Sequence, residues 1–201
     1  MIKNLPIVIF VILLSFSNLS FSQVENPYAG FEPLDLKNHK EYSKNFNAGN
    51  FSTKIFYNCL TDVIDAARKQ YAYLEPLKHD IAFDSTAQMQ ADYQALKNEK
   101  TDINLAPYKT LNFRLKKYGL SHRGVELVTK GKAYIGIQDF SYYDACMELI
   151  RPILKNQKQA VILLDPQYTY VGIGFETDEF MKSMYASIVL GNDRTFTIYT
   201  Y

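Results

Sequence analysis

Helical spacing of apolar residues gives way to two-residue alternation along this chain, and that order constrains the fold more than any other feature. Phe56, Leu60, Val63, Ala67, Tyr71 and Leu74 recur at steps of three and four, one stripe of an amphipathic helix ending near Pro76. A second helix is expected after Asp84, where Ser85-Thr86-Ala87-Gln88 fits a capping box. Its stripe of Ala87, Ala91 and Ala95 is small enough for a neighbouring backbone to approach closely. Tyr143, Met147, Ile150 and Leu154 mark a third helix, which Pro152 should kink or end early. In the last third, Val171, Ile173 and Phe175 point one way and Tyr170, Gly172 and Gly174 the other. Two glycines on one face imply something packed tightly against it. An apolar run from Met184 to Leu190 follows, then a hairpin turn at Gly191-Asn192-Asp193 and a strand over 195–201. Helices first and an antiparallel sheet afterwards make an α+β fold.

The N-terminus has a different order. Lys3, an apolar stretch from Leu5 to Phe16 and the closing Ser20-Phe21-Ser22 have the layout of a secretory signal peptide over 1–22. The uninterrupted apolar core is too short to span a bilayer, so no membrane span is expected in the mature chain. Residues 23–51 are polar and punctuated by Pro27, Gly30, Pro33 and Gly49, and read as an N-terminal extension or loosely docked arm before a domain over 52–201. A secreted or periplasmic location follows. Export exposes Cys59 and Cys146 to oxidising conditions. Both lie on apolar stripes, which is also where inert buried thiols sit, so two free core thiols and a bridge both stay open.

Charge excludes one broad class. The 201 residues carry 22 Lys+Arg against 21 Asp+Glu, and removing Lys3 with the leader brings the formal charge from +1 to balance. Nothing in that balance provides the basic patch of a nucleic-acid binder. With 47% apolar residues the chain can bury a core. Common catalytic signatures are missing: Gly172-Ile173-Gly174 has no third glycine in register for a dinucleotide loop, and there is no nucleophile elbow or phosphate loop. His39, His79 and His122 are too far apart for one helix to present two of them to a metal, and each reads as a surface or hydrogen-bonded structural residue.

Four segments in order carry a family resemblance: Asp65-Ala66-Ala67-Arg68 with Glu75-Pro76-Leu77, Asp80 and Ala87 to Ala91; Arg114 to Gly119; Val125-Glu126-Leu127-Val128; and Leu163-Leu164-Asp165-Pro166-Gln167-Tyr168-Thr169-Tyr170-Val171-Gly172-Ile173-Gly174. Together they resemble the CAP superfamily of cysteine-rich secretory, antigen 5 and pathogenesis-related 1 proteins, in its bacterial SCP-like form. The resemblance covers about residues 52 to 191. It implies an α-β-α sandwich with a small antiparallel sheet between helical layers. It also implies a helical turn over Ala160 to Leu164, where periodicity alone would place a buried strand.

Many relatives in that family carry a cleft of two histidines and one or two acidic residues that can hold a divalent metal. In the matching positions this chain has Asp102 for the first histidine and Gln159 for the second, and it retains the acid as Glu126. Loss of both imidazoles removes the donors that suit zinc. Two carboxylates make a thin site for calcium or magnesium, and no neutral-pH base remains unless burial shifts one of them. No catalytic residue, metal site or cofactor is therefore expected, and Asp102, Glu126 and Gln159 are the candidate ligand-binding residues of a degenerate cleft. The expected role is a binding or interaction module, with a small apolar ligand, cell-envelope material or a protein as partner. A divergent metal-assisted hydrolase using Asp102 and Glu126 is the alternative, and a structural building block a third.

Overall fold

The computed structural model describes residues 26–192 apart from 29, 48, 121–123 and 134–138. The leader over 1–22, His122, and the strand expected over 195–201 lie outside the described residues.

Six helices and four strands follow in order among the described residues: α1 (Leu34–Lys37), α2 (Thr53–Ala72), β1 (Lys78–His79), α3 (Ile81–Lys97), α4 (Leu111–Lys117), β2 (Val125–Lys132), α5 (Tyr142–Lys155), α6 (Gln157–Leu163), β3 (Tyr170–Thr177) and β4 (Ser183–Gly191). The helical stripe read from the sequence is the buried face of α2, where Phe56, Leu60, Val63 and Ala67 are joined by Cys59, Ile64 and Arg68. Ser52 caps its start and Tyr73, left-handed at φ 55°, closes its end. Over 157–163 the chain is helical, as the family resemblance implies. Pro152 lies inside α5, which ends within one turn of it.

The second helix begins earlier than its capping box suggests. Asp80 is the N-cap, its carboxylate accepting the amides of Ala82 and Phe83 at 2.9 and 3.1 Å. Ser85 and Gln88 therefore fall within the helix, and the Ser85 hydroxyl donates back to the Ile81 carbonyl. The box motif is matched, but the chain already turns into helix where it leaves β1.

The sheet has the order β1-β3-β4-β2. β3 pairs antiparallel with β4, and β4 with β2. β1 corrects the expectation of an all-antiparallel sheet, because it joins parallel to β3 through Lys78 opposite Tyr170 and His79 opposite Val171. One face of the sheet, with Val171, Ile173, Ile188, Leu190 and Leu127, packs on α2 and α5 and holds the main core. The other carries Gly172, Gly174, Ser187, Val189 and Glu126 under α3 and α4. Helical layers on both faces make the α-β-α sandwich.

Gly172 and Gly174 set the spacing of that second layer. A Cβ on Gly172 would stand 2.2 Å from the backbone of Phe83, and one on Gly174 would stand 2.2 Å from Ala87. The helix backbone thus lies directly on the strand, as the small stripe and the paired glycines predict. This closeness lets short side chains finish the strand edge beyond the two-residue β1. The Asp84 carboxylate accepts the Ile173 amide at 2.8 Å. The Gln88 side chain accepts the Phe175 amide at 3.1 Å and donates to its carbonyl at 2.9 Å. Those contacts cover backbone groups that an open edge would leave for another chain.

The family-like segments meet through buried polar contacts. Arg68, 2% exposed, donates to the carbonyls of Leu163 at 2.6 Å and Tyr168 at 2.8 Å, tying α2 to the turn before β3. Asp65 accepts the Leu77 amide at 3.0 Å and fixes the exit from α2. Truncating Arg68 leaves two buried carbonyls unpaired, so Arg68→Ala should cost about 3 kcal/mol in denaturant unfolding.

The described residues between 26 and 51 pack on the sandwich instead of docking loosely. Phe31, Tyr42 and Phe46 are buried in the main core. The Asn26 side chain donates to the carbonyls of Leu154 and Lys155, and a bridge pairs Asn45 with Ser141. Large aromatics spaced along a polar segment have to be buried somewhere: the start of α5 receives Tyr42 and Phe46, while Phe31 packs against Tyr71 near the end of α2.

Candidate functional site

Glu126 is the centre of the region that family resemblance marks. It lies on β2 opposite Val189, with its side chain under α4 and only 4% exposed. Arg114 of α4, itself fully buried, forms an ion pair with one carboxylate oxygen. The Ser187 hydroxyl donates to the other at 2.6 Å. Arg114 also donates to the Tyr108 carbonyl at 3.3 Å, which anchors the loop before α4. Burial pushes Glu126 above the ordinary carboxylate range, against the downward pull of Arg114 and Ser187, and the Asp102 charge pushes the same way as burial. Both oxygens are thus engaged by protein groups. A carboxylate held in this way braces two layers of the fold.

The other two residues stand around the same strand. Asp102 is exposed in the loop between α3 and α4, near enough for its charge to act on Glu126. Gln159, on the first turn of α6, donates to the Val128 carbonyl of β2 at 3.4 Å, while its Oε1 is buried without a partner. Among the described residues no hydrogen bond or ion pair joins any two of Asp102, Glu126 and Gln159. Nor is any group of three or more His, Cys, Asp and Glu side chains among them arranged to hold a metal ion.

Further polar groups are buried on this side of the sheet. Gln90 donates to the Thr101 carbonyl at 2.5 Å and fastens the loop carrying Asp102 to α3. Gln94 is fully buried, and neither atom of its amide has a partner. Sequence reasoning quoted Arg114 only as a motif residue and passed over Ser187, Gln90 and Gln94. Arg114 carried a legible signal: an arginine on the inner side of a short helix needs a carboxylate, and Glu126 was already singled out.

Of the concavities away from this region among the described residues, two of equal size stand out. One, of about 440 Å³, is lined by Tyr42, Tyr57, Asn58, Thr61, Asp62 and His79. At its border His79 pairs with Asp84 and contacts the Tyr57 hydroxyl, both at 2.5 Å, and Tyr57 donates to Asp84. Since Asp84 also accepts Ile173, this cluster fastens the sheet edge, in keeping with a hydrogen-bonded structural role for His79. The other, also about 440 Å³, has aromatic walls from Phe46, Phe51 and Phe175 with Gln88, Glu176 and Met181 around them. Phe51 and Phe175 stack there with ring centroids 5.7 Å apart.

No protein-family profile and no curated protein sequence matches the chain. Solved structures do. An outer surface protein of Borrelia burgdorferi is 14% identical with a TM-score of 0.55, over 71% of this chain and 97% of that one. The CAP domain of enterococcal PrgA is 12% identical with a TM-score of 0.52, over 90% of this chain and 87% of that one. An extracellular SCP-domain protein of Bacillus anthracis is 16% identical with a TM-score of 0.48, and there the match spans 71% of this chain but only 45% of the longer protein. At these identities the likeness is one of architecture. The fold of this chain is a divergent form of the bacterial CAP fold.

Proposed function

We propose that the chain is a secreted or surface-exposed CAP-like module that binds or interacts without enzymatic activity. The observation that carries this reading is the state of Glu126, whose two oxygens are taken by Arg114 and Ser187 in a buried setting. Each oxygen already accepts from a protein group and the side chain is only 4% exposed, which leaves it little access to a metal or substrate, and Gln159 donates its amide to the β2 backbone. The leader-like N-terminus supports the location, as does the outer-surface naming of the Borrelia burgdorferi protein with the same architecture. Among the described residues no helix is long and apolar enough to cross a membrane. Of the partner classes, a small apolar ligand is supported by the aromatic concavity between Phe46, Phe51 and Phe175.

Calorimetric titration with Zn²⁺, Ca²⁺ and Mg²⁺ tests the non-enzymatic half. The expected result is no site of micromolar or tighter affinity. A micromolar Zn²⁺ site that disappears in Glu126→Gln, or a hydrolytic turnover lost in that variant while it stays folded, would overturn it.

A further inference from the structure

Cys59 and Cys146 are both fully buried, on the facing sides of α2 and α5, which pack against each other. Cys146 Sγ lies 3.7 Å from the Phe56 carbonyl. Phe56 is one helical turn before Cys59, and helical side chains lean toward the N-terminus of their helix, so the Cys59 thiol covers that same turn. The two side chains therefore converge on the same turn of α2. Both are free thiols in this structure, and burial, with Cys59 alongside, pushes the Cys146 thiol well above its ordinary range.

We infer that Cys59 and Cys146 close a disulfide when the chain folds in an oxidising compartment, joining the two helices that cover the main core. The Cys59 and Cys146 thiols lose two protons and two electrons, and an Sγ–Sγ bond forms. The electrons pass to the disulfide of a thiol–disulfide oxidoreductase or of oxidised glutathione, which is reduced to two thiols. One cysteine attacks that disulfide as a thiolate, and the other displaces the reduced catalyst from the mixed disulfide. Thiolate is disfavoured once the helices have closed, so the exchange belongs to the folding chain and not to the finished core. The bridge then links positions far apart in sequence, the case in which a cross-link most restricts the unfolded chain.

Its occurrence in the cell rests on the exported location proposed above, whereas the pairing does not. The full chain, unfolded under reducing conditions, is refolded with and without a glutathione redox buffer. Folding is followed by circular dichroism, and free thiols are then counted by mass after maleimide alkylation in denaturant. Expected are no maleimide adducts on monomer refolded in glutathione buffer, two on monomer refolded under reduction, and much slower loss of thiols when the already folded reduced protein meets the same buffer. The oxidised form should melt about 5–15 °C higher, a difference absent in Cys146→Ala. Refolded monomer that still takes two maleimides from glutathione buffer, or carries glutathione on either cysteine, overturns the pairing. Because this assay needs no export, bridged protein whose cells never release it contradicts only the location, and exported protein with two free thiols contradicts only the bridge.

Discussion

Gly172→Ala should destabilise the chain by about 4 kcal/mol or more, beyond the usual range of a single added methyl. The new Cβ would fall 2.2 Å from the carbonyl carbon of Phe83 and 2.3 Å from the amide nitrogen of Asp84, both backbone atoms of a seventeen-residue helix. No side-chain rotation relieves such a contact, so α3 has to move off β3 as a body. Three consequences add up. The Asp84 and Gln88 bonds to β3 stretch, Phe83 and Ala87 lose contact with Val189, and the polar groups between helix and sheet become wet. In thermal melts the loss corresponds to about 8–16 °C for a chain of this size. Gly30→Ala is the control, since nothing lies within 4 Å of a Cβ at that position, and it should stay within about 0.5 kcal/mol of wild type. A Gly172→Ala protein of near-normal stability would mean that the helix is not seated on the strand.

Arg114→Met should cost about 3–5 kcal/mol, because it leaves Glu126 as a buried carboxylate without its cation. Arg114 is fully buried and Glu126 nearly so, which means that neither charge can turn to solvent when its partner is removed. The ion pair itself is not a large source of net stability, for burial already lifts Glu126 above the ordinary carboxylate range. The double variant Arg114→Met, Glu126→Leu should accordingly recover most of the loss and return to within about 1–2 kcal/mol of wild type. Denaturant unfolding of the four proteins in this cycle gives the coupling directly. Additive losses would show that the two side chains act independently.

Most of the fold was legible because its decisive residues are local and periodic. The α2 stripe, the paired glycines of β3 and the small stripe of α3 each announce one face of one element, and the structure brings the last two together. Less legible were contacts fixed by where the chain arrives. Ser85 and Gln88 match a capping box, yet Asp80 is the cap because β1 delivers the chain there, and Gln88 is left free to pair with the backbone of Phe175. Likewise β1, two residues long, has no alternation to read, so its parallel pairing could not be foreseen. Family likeness selected Glu126, but the meaning of that residue depends on Arg114 and Ser187. One comes from a helix twelve residues earlier and the other from the last described strand, and only the folded sheet places them on one carboxylate.

The central proposal is that Glu126 serves as a brace between β2 and α4 and not as a reacting or metal-holding group, and the stability of Glu126→Gln tests it most directly. Residues kept for catalysis or metal binding tend to be held at some cost to folding, so that replacing them is neutral or stabilising. A bracing carboxylate behaves in the opposite way. Measured by denaturant unfolding at neutral pH, Glu126→Gln should lose about 2–4 kcal/mol, since Arg114 then remains buried with only a neutral acceptor. A Glu126→Gln protein as stable as wild type, or more so, would contradict the account.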